Sequence, residues 1–269
     1  PTAADATSTA GRRAYGQLPL SFEANHGQSA APVQFVSRGS GYTLFLTPTE
    51  AVLVLRPPRP DRASPTPHAP GPEAMPLETV VRMRLVGANP APQVVGEDAL
   101  PGKAHYLKGP ASNWHTQIPT YARVRYHEVY GGIDLVYYGN QRQLEYDFVL
   151  APGADPSTIT LAFQGVDSLE VDAQGNLVLH TPAGDIHQLK PRIYQEVEGV
   201  RQEIPGEYVL KNTDQVGVHV AAYDATRPLV IDPVLPYSTY LGGSGSGTES
   251  STAMMVVAVS VPERLPIGM

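Results

Sequence analysis

Hydrophobic and polar residues alternate in short runs along most of the chain, and turn residues separate the runs. In the first half these runs lie at residues 33–37, 42–46, 51–55, 80–86 and 120–126, with brief extended pieces at 94–95 and 105–107. Alternation with a period of two is typical of β-strands that bury one face. The first half therefore predicts a meander, interrupted by the proline-rich residues 57–76, which we expect to be exposed or disordered.

The second half repeats the pattern more regularly. Its runs lie at residues 158–163, 169–171, 177–179, 186–189, 193–197, 208–210, 216–220 and 229–231. Strands recurring about every 8–12 residues with turns between them are typical of β-sandwiches and barrels. The sequence therefore predicts an all-β fold of antiparallel sheets, forming two β-sandwich-like parts with few or no long helices.

The domain boundaries follow the same runs. We expect a flexible segment at residues 1–16, a first β-rich domain at 17–150 and a β-sandwich domain at 151–236. Residues 237–269 predict a linker and an atypical tail.

Composition narrows the function classes. The chain has 27 prolines, 25 glycines, only 17% charged residues and a net charge of −7, so a basic surface for nucleic acid is not expected. It has no cysteine, which excludes disulfides and thiolate chemistry. Its first residues lack the features of a signal peptide, and no apolar run approaches the roughly 20 residues of a membrane helix, so membrane insertion is not expected.

Residues 132–150 have the clearest hairpin pattern, with a turn over residues 139–142. A turn centred on residues 140–141 places Asp134 opposite Asp147. The predicted apolar face carries Ile133, Leu135, Tyr137, Leu144, Tyr146 and Phe148. The predicted polar face carries Asp134, Tyr138, Gln143, Glu145 and Asp147.

Facing carboxylates repel one another and need a cation, an arginine or a shared proton. Arg123 and Arg125 share one face of the predicted strand at 120–126 and could supply the positive charge. Asp134, Glu145 and Asp147 are then members of a structural ion network, ligands of a divalent metal, or catalytic carboxylates. The residues alone leave these three interpretations open.

Residues 23–28, EANHGQ, form a second polar cluster. In one interpretation Glu23, Asn25, His26 and Gln28 form a hydrogen-bonded turn that ties the amino-terminal part to the sheet. In the other they meet the hairpin and build a joint site. His26 would then join Asp134 and Asp147 around a metal or act as a general base.

Candidate roles can be assigned to these residues. The catalytic candidates are Asp134, Glu145, Asp147, Glu23 and His26; the binding candidates are Asn25, Gln28, Arg123, Arg125 and Tyr138; and the metal candidates are Asp134, Asp147 and His26. The strand tyrosines either form a sugar-stacking surface or lie half-buried in the sheet.

Five longer phrases carry a family resemblance: LPLSFEANHGQ, GYTLFLTPTEAVL, PTYARVRYHEVYGGIDLVYYGNQRQLEYDF, APGADPSTITLAFQG and PLVIDPVLPYSTYLGG. Together they resemble the amino-terminal region that precedes SBBP-type β-propeller repeats in large exported bacterial proteins. The resemblance covers about residues 17–243. It implies an all-β, non-propeller module of a secreted or cell-surface protein, followed by propeller repeats, and it brings no catalytic residues.

Two function classes remain. The leading hypothesis is a non-catalytic interaction or structural module of a secreted or surface bacterial protein, with a carbohydrate or another cell-surface ligand as partner. The competing hypothesis is a hydrolase of esters, phosphoesters or glycosides that uses the hairpin carboxylates. After residue 243 the chain lacks a repeat pattern, which fits either a natural divergent terminus or a truncation.

Overall fold

The computed structural model describes residues 20–39, 41–56, 78–140, 143–182 and 184–236. The predicted flexible segment 1–16, the proline-rich residues 57–76 and the tail 237–269 lie outside the described residues. Within those residues the fold is all-β and antiparallel, as predicted. The helical parts described are two 3-10 turns, Ala111–Asn113 and Pro156–Thr158, and no helix in the described part is long and apolar enough to cross a membrane.

Nineteen strands are described. The first nine are β1 (Phe22–Ala24), β2 (Phe35–Gly39), β3 (Tyr42–Leu46), β4 (Glu50–Leu55), β5 (Thr79–Leu85), β6 (Gln93–Tyr106), β7 (His115–Tyr130), β8 (Ile133–Asn140) and β9 (Gln143–Leu150). The others are β10 (Thr160–Gln164), β11 (Ser168–Val171), β12 (Leu177–Thr181), β13 (Gly184–Gln188), β14 (Arg192–Val197), β15 (Val200–Ile204), β16 (Gly206–Leu210), β17 (Gln215–Val220), β18 (Leu229–Asp232) and β19 (Val234–Pro236).

Most strands belong to one large sheet whose two ends meet. Its order is β15-β14-β18-β9-β8-β7-β1-β2-β3-β4-β5-β10-β17-β16, with β6 added on β7 and β19 added on β9. Strands β15 and β16 lie at opposite ends of this path, yet Pro205 alone separates them in the chain. A methyl group on Gly206 would lie 2.2 Å from Ile193 Cδ1, so β16 packs directly on β14. The sheet therefore curls until its ends touch at Pro205.

Strands from both sides of residue 150 share this sheet and one core. Leu161 of β10 pairs with Leu85 of β5, and Ile231 of β18 pairs with Phe148 of β9. A smaller sheet, β11-β12-β13, contributes Leu179 to the same core. The predicted boundary at 150 therefore does not interrupt strand pairing, and independent folding of the two parts stays a prediction.

The 132–150 hairpin has the predicted faces and a different register. All six residues of the predicted apolar face are buried. Asn140 pairs with Gln143, so the turn is centred one position later than expected, and Asp134 lies opposite Val149 instead of Asp147. The predicted pairing of Asp134 with Asp147 is therefore wrong by two residues. Because side chains alternate with a period of two, this shift leaves each residue on its predicted face.

Strands β6 and β15 were the least visible in the sequence. Strand β6 is one 14-residue strand where two brief pieces were predicted, and β15 was not predicted. Most residues of both strands are exposed or half-buried, and among the described residues β6 pairs with β7 alone and β15 with β14 alone. Without a buried face, a strand has no hydrophobic alternation to reveal it.

Candidate functional site

Asp134 is held in an ion network on the polar face of the hairpin. The Arg125 guanidinium lies 3.2 Å from Asp134 Oδ2 through Nη1 and 2.6 Å from Glu97 Oε1 through Nε. Asp134 Oδ1 also accepts a 2.9 Å hydrogen bond from the backbone N–H of Glu128. Glu128 has a φ of +49° and lies where the β7–β8 register shifts, so Asp134 secures a β-bulge.

Glu23 is held in a second network, on strand β1. Its Oε1 lies 2.9 Å from Arg38 Nη1, and its Oε2 accepts a short hydrogen bond from the Tyr106 hydroxyl. The Arg38 guanidinium also lies 5.4 Å from the centre of the Tyr106 ring. Burial and then the hydrogen bond to Glu23 raise the pKa of Tyr106 above its ordinary range. Glu23 is therefore occupied by structural partners.

Residues 24–33 form a hydrogen-bonded turn organised by Asn25. Its Nδ2 donates to three carbonyls, including that of Val33 at 2.7 Å, and its Oδ1 accepts from the backbone N–H of Gly27 at 3.0 Å. Gln28 Nε2 donates to a carbonyl of the same segment, and the exposed His26 donates its backbone N–H to Gln28 Oε1 at 2.7 Å. The hydrogen bonds described for these side chains stay within the segment. They do not join Asn25, His26 or Gln28 to the hairpin carboxylates.

A third group of charges surrounds Glu145 and Asp147. Strand β18 pairs with β9 through Ile231 and Phe148, and β19 continues the same register with Val234 opposite Glu145. This shared antiparallel register places Asp232 opposite Asp147. Asp147 therefore does face another carboxylate, but that carboxylate is Asp232 and not the predicted Asp134. We call Glu145, Asp147 and Asp232 the β9–β18 carboxylates.

All three β9–β18 carboxylates have raised pKa values. Burial, opposed by a hydrogen bond from Tyr138 and reinforced by Asp232 and Glu145, raises the pKa of Asp147 from 3.8 to about 6. Burial and then the charge of Asp232 raise the pKa of Glu145. Burial also raises the pKa of Asp232, against the lowering effect of Arg192 and then Arg201. These groups resist ionisation and lie close enough together to influence one another.

Tyr138 and Arg123 border these carboxylates on the β7–β8 side. The Tyr138 hydroxyl donates a 2.9 Å hydrogen bond to Asp147 Oδ1. The Arg123 guanidinium lies 5.6 Å from the centre of the Tyr138 ring and 3.4 Å from Asp98 Oδ2. Arg123 also lowers the pKa of Asp147, so its charge reaches this cluster.

Arg192 of β14 and Arg201 of β15 border the β9–β18 carboxylates on the side away from β8. Arg192 pairs through its backbone with Asp232, and its guanidinium lies 3.6 Å from Glu203. The Arg201 guanidinium lies 4.4 Å from the centre of the Tyr194 ring. In the described part of the chain no carboxylate lies within ion-pair distance of Arg201. Arg201 therefore keeps hydrogen-bond donors available.

Asp232 is the residue that distinguishes this group. It is only 8% exposed, and its Oδ1 is buried without a hydrogen-bond partner among the described residues. A buried acceptor without a donor costs roughly 1–3 kcal/mol, and more when it is charged. Such an atom needs a hydrogen-bond donor from outside the described residues.

A metal centre does not assemble from these residues. The described ranges contain no group of three or more histidine, aspartate or glutamate side chains arranged to hold a metal ion. The candidates Asp134, Asp147 and His26 do not form such a group there. Asp134 and Arg125 instead belong to the ion network, and Asp147 belongs to the β9–β18 carboxylates.

The sequence pointed to part of this site and missed the rest. Glu145, Asp147, Tyr138 and Arg123 were candidates, whereas Asp232 and the Arg192–Arg201 side were not. Because side chains alternate along a strand, the sequence at 229–232 places Asp232 on the face opposite Leu229 and Ile231. Which strand Asp232 then faces depends on long-range pairing. A tyrosine surface for sugar stacking is not formed by Tyr126, Tyr137 and Tyr146, because all three are buried.

Outside this site, His180 on β12 has a raised pKa that can be tested. Its Nδ1 lies 2.8 Å from Asp185 Oδ1 and its Nε2 lies 3.4 Å from Glu170 Oε2, and the nearer carboxylate is the main cause of its raised pKa. We expect NMR titration to place the pKa of His180 above 6.5, its ordinary value. Asp185→Asn should lower it more than Glu170→Gln. Equal effects of the two variants would contradict the assigned cause.

Comparison with known protein families gives a match. The family model described as "Domain of unknown function (DUF7948)" matches residues 22–234. No curated protein and no solved structure matches the chain significantly.

Proposed function

The chain belongs to the DUF7948 family, whose function is unknown, and from its geometry we propose that it is a non-catalytic interaction or structural module. The proposal includes a place in a secreted or cell-surface bacterial protein, ahead of β-propeller repeats, as the sequence resemblance implies. Its partner in this proposal is a carbohydrate or another cell-surface ligand.

The observation that carries the proposal is the pairing of Arg125 with Asp134. Arginines in contact with the hairpin carboxylates indicate an ion network. His26 and Asn25 in that position would have indicated a metal or catalytic site shared with residues 23–28. Arg125 bridges Asp134 and Glu97, and Asp134 also secures the backbone bulge at Glu128. Charges engaged in this way support structure rather than catalysis.

A hydrolase is the second candidate, and Asp147 is the observation that favours it. A carboxyl group with a pKa of about 6 can act as a general acid or base near neutral pH. Asp232 and Glu145 would then be its catalytic partners. Esters, phosphoesters and glycosides remain the substrate classes for this candidate.

A panel of chromogenic esters, phosphoesters and glycosides separates the two proposals. We expect no turnover above the uncatalysed rate at pH 5 to 8, with or without added divalent metal. Asp147→Asn and Asp134→Asn are matched variants on one hairpin face, and neither should change this baseline. Turnover that Asp147→Asn abolishes and Asp134→Asn retains would establish the hydrolase and overturn the non-catalytic proposal.

A further inference from the structure

The β9–β18 carboxylates lie beside Arg123, Arg192 and Arg201, and we call this group the array. Some of its donors and acceptors lack a hydrogen-bond partner among the described residues. Asp232 Oδ1 is a buried acceptor without a donor, and Arg201 has donors without a carboxylate partner among the described residues. Tyr138 already donates to Asp147. The array therefore combines a buried acceptor that lacks a donor with the half-buried Asp147 and the exposed guanidinium group of Arg201.

The charges of the array bear on the class of ligand that it favours. The carboxylates are not arranged to hold a metal ion within the described part of the chain. The three carboxylates and the arginines that lower the pKa values of Asp147 and Asp232 place both signs of charge side by side, so the array favours neither a simple anion nor a simple cation. A neutral ligand that both donates and accepts hydrogen bonds meets no such repulsion. Neighbouring hydroxyl groups on one ring supply both functions.

A groove next to the array provides space for such a ligand. Its volume is about 310 Å³ and it lies at the corner where the sheet closes, between the start of β14 and the end of β15. Arg192 and Glu203 line it together with Pro191 and Pro205. Arg192 also pairs with Asp232 through the backbone, so one residue belongs to both the groove and the array.

We propose that Asp232, Asp147, Arg192 and Arg201 form a binding site for a neutral saccharide. Carboxylate oxygens of Asp232 and Asp147 accept hydrogen bonds from the sugar hydroxyls, and the guanidinium groups of Arg192 and Arg201 donate to the hydroxyl oxygens. The inference rests on the proposed interaction function and names the ligand class and the residues of its site.

An NMR titration of the ¹⁵N-labelled chain tests this site. The probes are glucose, galactose, N-acetylglucosamine and their β-linked disaccharides in the millimolar range, with calcium chloride and putrescine in parallel. We expect at least one saccharide to shift amide signals of β9, β14 and β18 in a saturable way. Asp232→Asn should weaken that binding about tenfold or more, because the amide is uncharged and accepts a weaker hydrogen bond.

Arg192→Gln gives a second variant at an exposed position, where loss of folding is not expected. It should weaken binding of the same saccharide, whereas Arg84→Gln, an exposed arginine of β5, should not. Absence of saccharide binding, saturable shifts on other strands, or binding of calcium or putrescine alone at β9 and β18 would each overturn the site. Slow cleavage of a bound disaccharide would overturn the non-catalytic function and leave the site standing.

Discussion

Replacing Gly165 with alanine is expected to destabilise the protein by about 3 kcal/mol or more. Gly165 follows β10 and has a φ of +80°, where an L-residue is strained. A Cβ atom there would lie 1.9 Å from the Val80 carbonyl oxygen of β5. That oxygen belongs to the backbone, so relief requires the two strands to separate.

Gly153→Ala is the matched control for this prediction. Gly153 has the same φ of +80°, but a Cβ atom there meets nothing within 4 Å. Its substitution should cost about 1 kcal/mol, the backbone strain alone. Chemical denaturation of both variants measures the difference, which isolates the clash with Val80. Equal losses would show that β5 and β10 do not approach as closely as described.

Gly165 lies where β10 packs beside β5, and the sequence does not reveal this pairing. The runs at 80–86 and 158–163 predicted β5 and β10 separately, because a hydrophobic alternation is a local property. The pairing of Phe163 with Met83 brings together residues that are distant in the chain, and no local pattern encodes it. The sequence therefore does not reveal that strands from both sides of residue 150 pair in one sheet.

The sequence likewise predicts some features of the candidate site and not others. The polar face of the hairpin was predictable because a shift of two residues keeps each side chain on its face. The partner of Asp147 was not, because it depends on the alignment of β18 with β9. Arg125 was one of the candidate partners of the hairpin carboxylates, and it lies 3.2 Å from Asp134 because the consecutive strands β7 and β8 pair.

Asp147→Asn is expected to stabilise the protein at pH 8 and to flatten its pH dependence. The pKa of Asp147 in the folded chain is about 6, above its ordinary 3.8, so the folded state binds the proton more tightly than the unfolded state does. Its contribution to stability is therefore fully present below about pH 4 and is lost as pH rises through 6. The shift sets an upper limit of about 3 kcal/mol, and partial solvent screening reduces the expected gain to about 1–2 kcal/mol.

Denaturation midpoints at pH 4.5 and pH 8 measure this effect, and Asp134→Asn is its control. The asparagine oxygen at 147 still accepts from Tyr138, whereas asparagine at 134 loses its ion pair with Arg125 and should lower stability at pH 8. A lower stability of Asp147→Asn at pH 8 would contradict the raised pKa. If Asp147→Asn raises the free energy of unfolding and Asp134→Asn lowers it, then Asp134 stabilises the fold and Asp147 destabilises it. A carboxylate that lowers stability in this way is a candidate for a role in binding or chemistry.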